Sequence, residues 1–112
     1  MKTYITWSEV DRLVGVIASQ IAVVPPSIYG IPRGGLIPAV MLSHRLGVPL
    51  VGKPKPDSLI VDEIADSGNT LKQFDQKSAV LIWKKCSIVM PSFFGELTES
   101  SSWIVFPWEI DT

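Results

Sequence analysis

The chain holds one cysteine and one histidine in 112 residues. Cys86 has no partner for an internal disulfide, which makes a reducing, cytoplasmic setting the expectation. His44 stands beside Arg45 on the polar side of an expected helix, with no histidine or cysteine spaced to complete a zinc site. Long apolar runs are missing as well: the longest, Leu36 to Leu42, is far short of the roughly 20 residues of a membrane span. The N-terminus has neither the apolar core nor the cleavage site of a signal peptide, so no membrane partner is expected. Basic runs are absent and the net charge is −1, which argues against nucleic acid as the main partner. A small anionic ligand, by contrast, needs only local donors.

What the chain does have is apolar mass. Hydrophobic residues make up 46% of it, including four tryptophans, and the mean hydropathy is +0.30. That is high for so small a chain and places part of the apolar surface at a subunit contact, in a homo-oligomer. The length suits one domain over residues 1–112, with no room for a second module.

The most informative stretch is Leu59-Ile60-Val61-Asp62-Glu63-Ile64-Ala65-Asp66-Ser67-Gly68-Asn69-Thr70. Three apolar residues read as a buried strand, with Asp62 and Glu63 at its carboxyl end. The turn Asp66-Ser67-Gly68-Asn69-Thr70 opens onto an expected helix. A glycine turn at a helix start offers backbone N–H groups and the positive end of the helix dipole to a phosphate, and the hydroxyls of Ser67 and Thr70 add donors. The adjacent carboxylates suit Mg²⁺ waters or sugar hydroxyls beside that phosphate. By itself such a strand and turn is common, but a second one lies upstream. A short strand over 27–29 runs into Gly30-Ile31-Pro32-Arg33-Gly34-Gly35, which turns into a helix over 36–46.

The remaining elements fall around these two motifs. Thr6-Trp7-Ser8-Glu9 has the spacing of a capping box, and Val10, Leu13, Val14, Ile17, Ala18 and Ile21 then form one apolar stripe of a helix. Pro25-Pro26 ends that element; Pro38 sits in the first turn of the next helix and Gly47 at its C-cap. A short strand is expected over 48–51, a stiff polar loop over 52–58, a short helix over 69–74 and a third strand over 79–83. Phe93-Phe94 and residues 103–106 are further strand candidates, and Cys86, just after the third strand, reads as a small structural thiol. Strand and helix alternate without repeats, which predicts an α/β fold with a mainly parallel central sheet flanked by helices. Ligands of such sheets bind beyond the carboxyl ends of the strands, where both loops would lie.

Together these residues resemble the type I phosphoribosyltransferases, most closely the xanthine-guanine branch. Residues 61–70 look like the family's motif for 5-phosphoribosyl-1-pyrophosphate (PRPP), and Pro32-Arg33-Gly34-Gly35 looks like its pyrophosphate loop. Trp103-Ile104-Val105-Phe106-Pro107-Trp108-Glu109 resembles the segment that closes the purine pocket. The resemblance implies that Asp62 and Glu63 hold the ribose hydroxyls and Mg²⁺, and that Ala65, Asp66, Ser67, Gly68, Asn69 and Thr70 hold the 5′-phosphate. It further implies that Asp66 accepts the proton of the attacking base nitrogen, and that Arg33 and the N–H of Gly34 neutralise the departing pyrophosphate. Lys85 aligns with the lysine that contacts the purine 6-oxo group, although Lys84 is its neighbour and a strand turns only one of the two toward the site. Trp103 stacks on the base in this reading, and the carbonyl of Ile104 accepts from an exocyclic amine.

The implied activity is transfer of phosphoribose from PRPP to guanine, xanthine or hypoxanthine. One departure from the family's pattern matters. Type I enzymes carry a long mobile loop before the PRPP motif, and here only residues 52–58 remain. An uncovered site loses positioning and admits water. The alternative is a non-catalytic PRPP- or nucleotide-binding module that has lost its lid. A pyrimidine-pathway enzyme or regulator is a weaker third reading, since it has no use for the tryptophan-rich tail.

Overall fold

The computed structural model describes residues 1–110, and the chain begins with a short strand, β1 (Lys2–Tyr4), followed by helix α1 (Trp7–Gln20). The capping box forms: Thr6 Oγ1 accepts from the Glu9 N–H at 3.1 Å, and Glu9 Oε1 accepts from the Thr6 N–H at 3.4 Å. The apolar stripe faces inward, with Val10, Leu13, Val14 and Ile17 at most 1% exposed. Each such side chain contributes about 1.5–3 kcal/mol by leaving water.

Next come β2 (Ile28–Gly30) and α2 (Leu36–Leu46), the latter ended by Gly47 in the left-handed conformation at φ 65°. The chain then builds β3 (Leu59–Ala65), β4 (Ser78–Lys84), β5 (Phe93–Thr98) and β6 (Trp103–Val105). Strands β2 to β5 make one sheet in the order β2-β3-β4-β5, parallel throughout. Helices α1 and α2 pack on one face of it, through a core that includes Leu13, Leu42, Val61 and Leu81. Leu71, Phe74 and Trp83 gather over Ile60 and Val80 on the other. Gln20, at the end of α1, clamps the edge strand β5: its side-chain amide donates to the Phe94 carbonyl at 2.7 Å and accepts from the Phe94 N–H at 3.1 Å.

Two sequence expectations change, and one element is new. Residues 69–74 do not form an α-helix; a single 3₁₀ turn, Leu71–Gln73, stands there. Its brevity removes the helix dipole from the account of the phosphate loop, because a dipole of that kind needs several aligned turns. The strand expected over 48–51 is reduced to one bridge, Leu50 to Ile28, before the prolines take the chain out of the sheet. Finally, β1 pairs in parallel with β6, with Lys2 opposite Trp103. This small second sheet was not legible in three N-terminal residues, and it fixes the tail that carries Trp103.

Candidate functional site

All four strands of the main sheet point their carboxyl ends the same way, so the segments after Gly30, Ala65 and Lys84 gather at one end of the sheet. The Gly30–Gly35 turn is tied to β3, where the Ile31 N–H donates to the Val61 carbonyl at 2.9 Å. Its contact with the next motif is direct. A Cβ on Gly34 would overlap the Glu63 carboxylate, so glycine is what lets the loop backbone lie against that side chain. Arg33 projects from this loop into solvent and, among the described residues, forms no ion pair.

The loop after β3 is closed on itself and on the segment that follows β4. Gly68 has φ 89°, a conformation that L side chains rarely adopt, and a Cβ there would strike Ser87 Oγ at 2.6 Å. Ser67 Oγ accepts from the Asn69 N–H at 3.2 Å, and the Ser67 carbonyl accepts from the Ile88 N–H at 2.8 Å. A cleft of about 200 Å³ results, lined by Asp62 to Gly68 together with Thr70 and Leu71. Ala65, Asp66, Ser67, Gly68 and Thr70 thus surround one concave space, while Asn69 lies in the loop and outside the lining.

Asp62 and Glu63 form an unusual pair. Asp62 is 6% exposed, and its Oδ1 accepts from the Glu63 N–H at 2.9 Å. Burial, with the hydrogen bond and charge of Asp62 acting in the same direction, pushes the Glu63 carboxyl up to about 8. Asp62 is also raised by burial, partly offset by its hydrogen bonds with Glu63. Two carboxyls held together in this way make an environment that a cation would relieve. No group of three or more His, Cys, Asp or Glu able to hold a metal exists among the described residues. The pair therefore fits a cation that arrives with ligands of its own, as Mg²⁺ does on a polyphosphate.

A second cleft of about 200 Å³ adjoins the first, lined by Glu63, Ile64, Asp66, Trp103, Ile104, Phe106 and Glu109. Trp103 is 63% exposed, leaving an indole surface free. Phe106 stacks on Trp108 with ring centroids 5.0 Å apart, and the Phe106 N–H donates to Glu109 Oε1 at 2.7 Å, which sets the turn that carries Glu109. Of the two lysines, Lys84 is the one turned inward. It is 7% exposed, its Nζ donates to the Ser102 carbonyl at 2.8 Å, and it stands 3.9 Å from Asp66 Oδ1. Lys85 points outward to pair with Glu99 at 2.9 Å. Lys84, the last residue of β4, therefore faces the interior beside Asp66, whereas Lys85, the lysine expected at the base, faces out. Cys86 is exposed, with its thiol directed at the Asp66 carbonyl at 3.6 Å.

Ile64, Phe106 and Glu109 line the second cleft without having been singled out in the sequence. Their signal was position alone: Ile64 lies inside the PRPP-like motif, and Phe106 and Glu109 inside the tail. The Ser102 carbonyl is backbone, and no residue identity announces it. A larger cavity, about 570 Å³, opens at the opposite end of the sheet beside Pro25, Pro56, Leu59 and Phe93. None of the candidate site residues from Asp62 to Thr70, nor Arg33, Gly34, Trp103 or Ile104, lines it, so size does not decide the site here.

The structure is similar over nearly its whole length to a purine phosphoribosyltransferase from Pyrococcus horikoshii. The identity is 35%, the TM-score 0.87, and the match covers 99% of this chain and 96% of that one. A xanthine-guanine-hypoxanthine phosphoribosyltransferase from Helicobacter pylori shares the fold at 21% identity and TM-score 0.80, covering 98% of this chain and 93% of that chain. A hypothetical protein from Neisseria gonorrhoeae, solved with bound ppGpp, matches at 25% identity and TM-score 0.79, covering 98% and 90%. No protein-family profile matches the sequence, and neither does any curated protein. Fold and loops together define a phosphoribosyltransferase architecture. The chain belongs to the type I phosphoribosyltransferase family and is related to its purine branch.

Proposed function

We propose that the chain transfers the 5-phosphoribosyl group from PRPP to a 6-oxopurine, giving a nucleoside monophosphate and pyrophosphate. The observation that carries this reading is the junction of the two clefts, which share Glu63, Ile64 and Asp66. A ribose at that junction has its 5′-phosphate in the loop of Asp66 to Thr70 and its anomeric carbon toward the cleft with Trp103. As the base nitrogen bonds to the anomeric carbon, the bond from that carbon to pyrophosphate breaks, and the proton of the nitrogen passes to the Asp66 carboxylate. Arg33 and the Gly34 backbone meet the pyrophosphate charge, Asp62 and Glu63 hold the ribose hydroxyls, and Trp103 stacks on the base with Lys84 at its 6-oxo group. Mg²⁺ brought by PRPP supplies charge neutralisation at the leaving group, with Asp62 and Glu63 the residues that would hold it through water. Asn69 stays in the assignment as a backbone member of the phosphate loop.

A second reading, nucleotide binding without transfer, is favoured by the short loop over 52–58. Its Lys55 N–H donates to Ser58 Oγ at 2.9 Å, Ser58 Oγ bonds Ser27 Oγ at 2.7 Å, and Gln76 holds the Lys55 carbonyl at 3.0 Å. These contacts moor it near the start of β3, where Pro56, Asp57 and Ser58 line the distant cavity. The relative from N. gonorrhoeae with bound ppGpp agrees with a guanine nucleotide as ligand under either reading. Incubation with PRPP and guanine, hypoxanthine or xanthine, with and without Mg²⁺, separates the two. Nucleoside monophosphate formed only with Mg²⁺ supports the transferase; nucleotide binding with no product in any mixture supports the binder.

A further inference from the structure

The cavity of about 570 Å³ lies where the four parallel strands begin, away from the residues assigned to phosphoribosyl transfer. Its volume falls inside the range of about 300–1,000 Å³ common to small-molecule pockets. Each cleft at the other end of the sheet has only about 200 Å³. Much of the cavity wall is apolar, with Val23, Val24, Pro25, Pro56, Leu59 and Phe93. Val23 and Val24 are 86% and 52% exposed, so this apolar surface is open to a ligand rather than used up by packing.

The walls are held in place by the protein itself. Ser58 Oγ bonds both the Lys55 N–H and Ser27 Oγ, and the Gln76 amide donates to the Lys55 carbonyl. The loop over 52–58 is thereby fixed to the chain before β2 and before β4. Gln20 is engaged at both ends of its amide by Phe94. The charged side chains of the lining differ. Asp57, Asp75 and Lys77 are exposed at the cavity, and among the described residues none of the three makes an ion pair or a side-chain hydrogen bond.

A preformed cavity with apolar walls and two unpaired carboxylates against one ammonium group favours a cation with an apolar body. We propose that it is a second ligand site and that it takes an organic amine. The apolar part lies against Phe93, Leu59 and the prolines, and the ammonium group is drawn to the carboxylates of Asp57 and Asp75. An anion of the same shape meets two like charges and one opposite charge, and a neutral compound gains burial alone. The inference is independent of the transferase reading, because no residue of the cavity takes part in that chemistry.

Three indoles of similar size provide the test: tryptamine, a cation; tryptophol, its neutral hydroxyl analogue; and indole-3-acetate, an anion. Each is titrated into the isotopically labelled full chain and followed by NMR through the backbone amides of Ser58, Leu59, Gln76 and Phe93. The amides of Ser67 to Thr70 and the Trp103 indole are the control set, since the acidic groups and aromatic ring there also attract an amine. Tryptamine should move the cavity amides along one saturable curve and bind roughly 5-fold more tightly than tryptophol, with indole-3-acetate weaker still. Exposed ion pairs contribute little each, so Asp57→Asn and Asp75→Asn should each weaken tryptamine by about 2–5-fold. Lys77→Met removes a like charge and should strengthen it by about 2-fold. Thermal unfolding checks that the three variants keep the fold. Equal affinity for the three indoles, indifference to all three substitutions, shifts confined to the control set, or no saturable shift with tryptamine overturns the proposal. So does self-association that moves the cavity amides and excludes tryptamine, since a second copy is then the occupant.

Discussion

Lys84 and Lys85 are neighbours in sequence with opposite surroundings, and replacing each by methionine makes a paired experiment. Methionine preserves most of the apolar stem, so the contrast isolates the ammonium group. At position 84 the change strips a charge-assisted donor from the Ser102 carbonyl, which belongs to a residue only 6% exposed. Stranding that acceptor costs about 1–3 kcal/mol. A buried lysine also carries a desolvation cost that methionine relieves, which places the net loss toward the lower end, near ~1 kcal/mol. Asp66 does not add to it, because its side chain is 52% exposed and stays solvated without its neighbour. A loss of that size lowers Tm by roughly 4 °C or more in a domain of this length. At position 85 the partners Lys85 and Glu99 are 67% and 74% exposed, and the change should stay within about 0.5 kcal/mol. Function should separate the variants further: loss of a charged donor to the 6-oxo group predicts a fall of roughly 10–100-fold in kcat/KM for hypoxanthine in Lys84→Met and little change in Lys85→Met. Thermal unfolding and steady-state kinetics read both effects. An equal or larger kinetic loss in Lys85→Met would refute the placement of Lys84 at the base.

Asp66→Asn keeps the shape of the loop and removes the proton acceptor, so turnover should drop by roughly 10²–10⁴-fold while PRPP affinity in calorimetry changes little; matched losses of rate and affinity would make Asp66 a contact only. Because the folded protein raises Glu63 from 4.5 to about 8, its stabilising protonated form is fully present below pH 4.5, and stability should decline as pH rises through 8, most of all without Mg²⁺. Glu63→Gln should flatten that decline in denaturant titrations, and a decline that survives the substitution would assign it elsewhere. An uncovered site should leak: the ratio of pyrophosphate released to nucleotide formed should lie well above one through hydrolysis of PRPP, and fall toward one with rising protein concentration only if a neighbouring copy covers the site. Fully coupled transfer by a monomer would show that the short loop does not matter.

The parts legible in the sequence are those with a local physical code. The capping box at Thr6 and Glu9, the stripe from Val10 to Ile21, the left-handed Gly47 and the buried run of β3 each follow from spacing within a few residues, and the structure has all of them. What sequence could not give depends on contacts distant along the chain. The pairing of β1 with β6 joins residues about a hundred positions apart, and the inward turn of Lys84 is decided by the Ser102 carbonyl rather than by any side chain. The α-helix expected over 69–74 gave way to one 3₁₀ turn, as Phe74 leaves the turn in extended conformation to pack beside Tyr29. At the candidate site, the segments from Asp62 to Thr70 and around Arg33 and Gly34 were readable as a strand with its loop and as a glycine turn after a strand, and the structure brings both to one end of the sheet. The place of Glu109 in the second cleft was not readable, because it depends on a turn formed by its own carboxylate.

The phosphate loop and the tryptophan cleft should bind one nucleotide between them. Titration of the isotopically labelled protein with GMP, followed by NMR, tests it most directly through the backbone amides of Ser67 to Thr70 and the indole N–H of Trp103. Both sets of signals should shift together along one binding curve, and ribose 5-phosphate should move the loop amides alone. Movement of the loop by GMP with an unperturbed Trp103 indole, or two curves with separate midpoints, would contradict it.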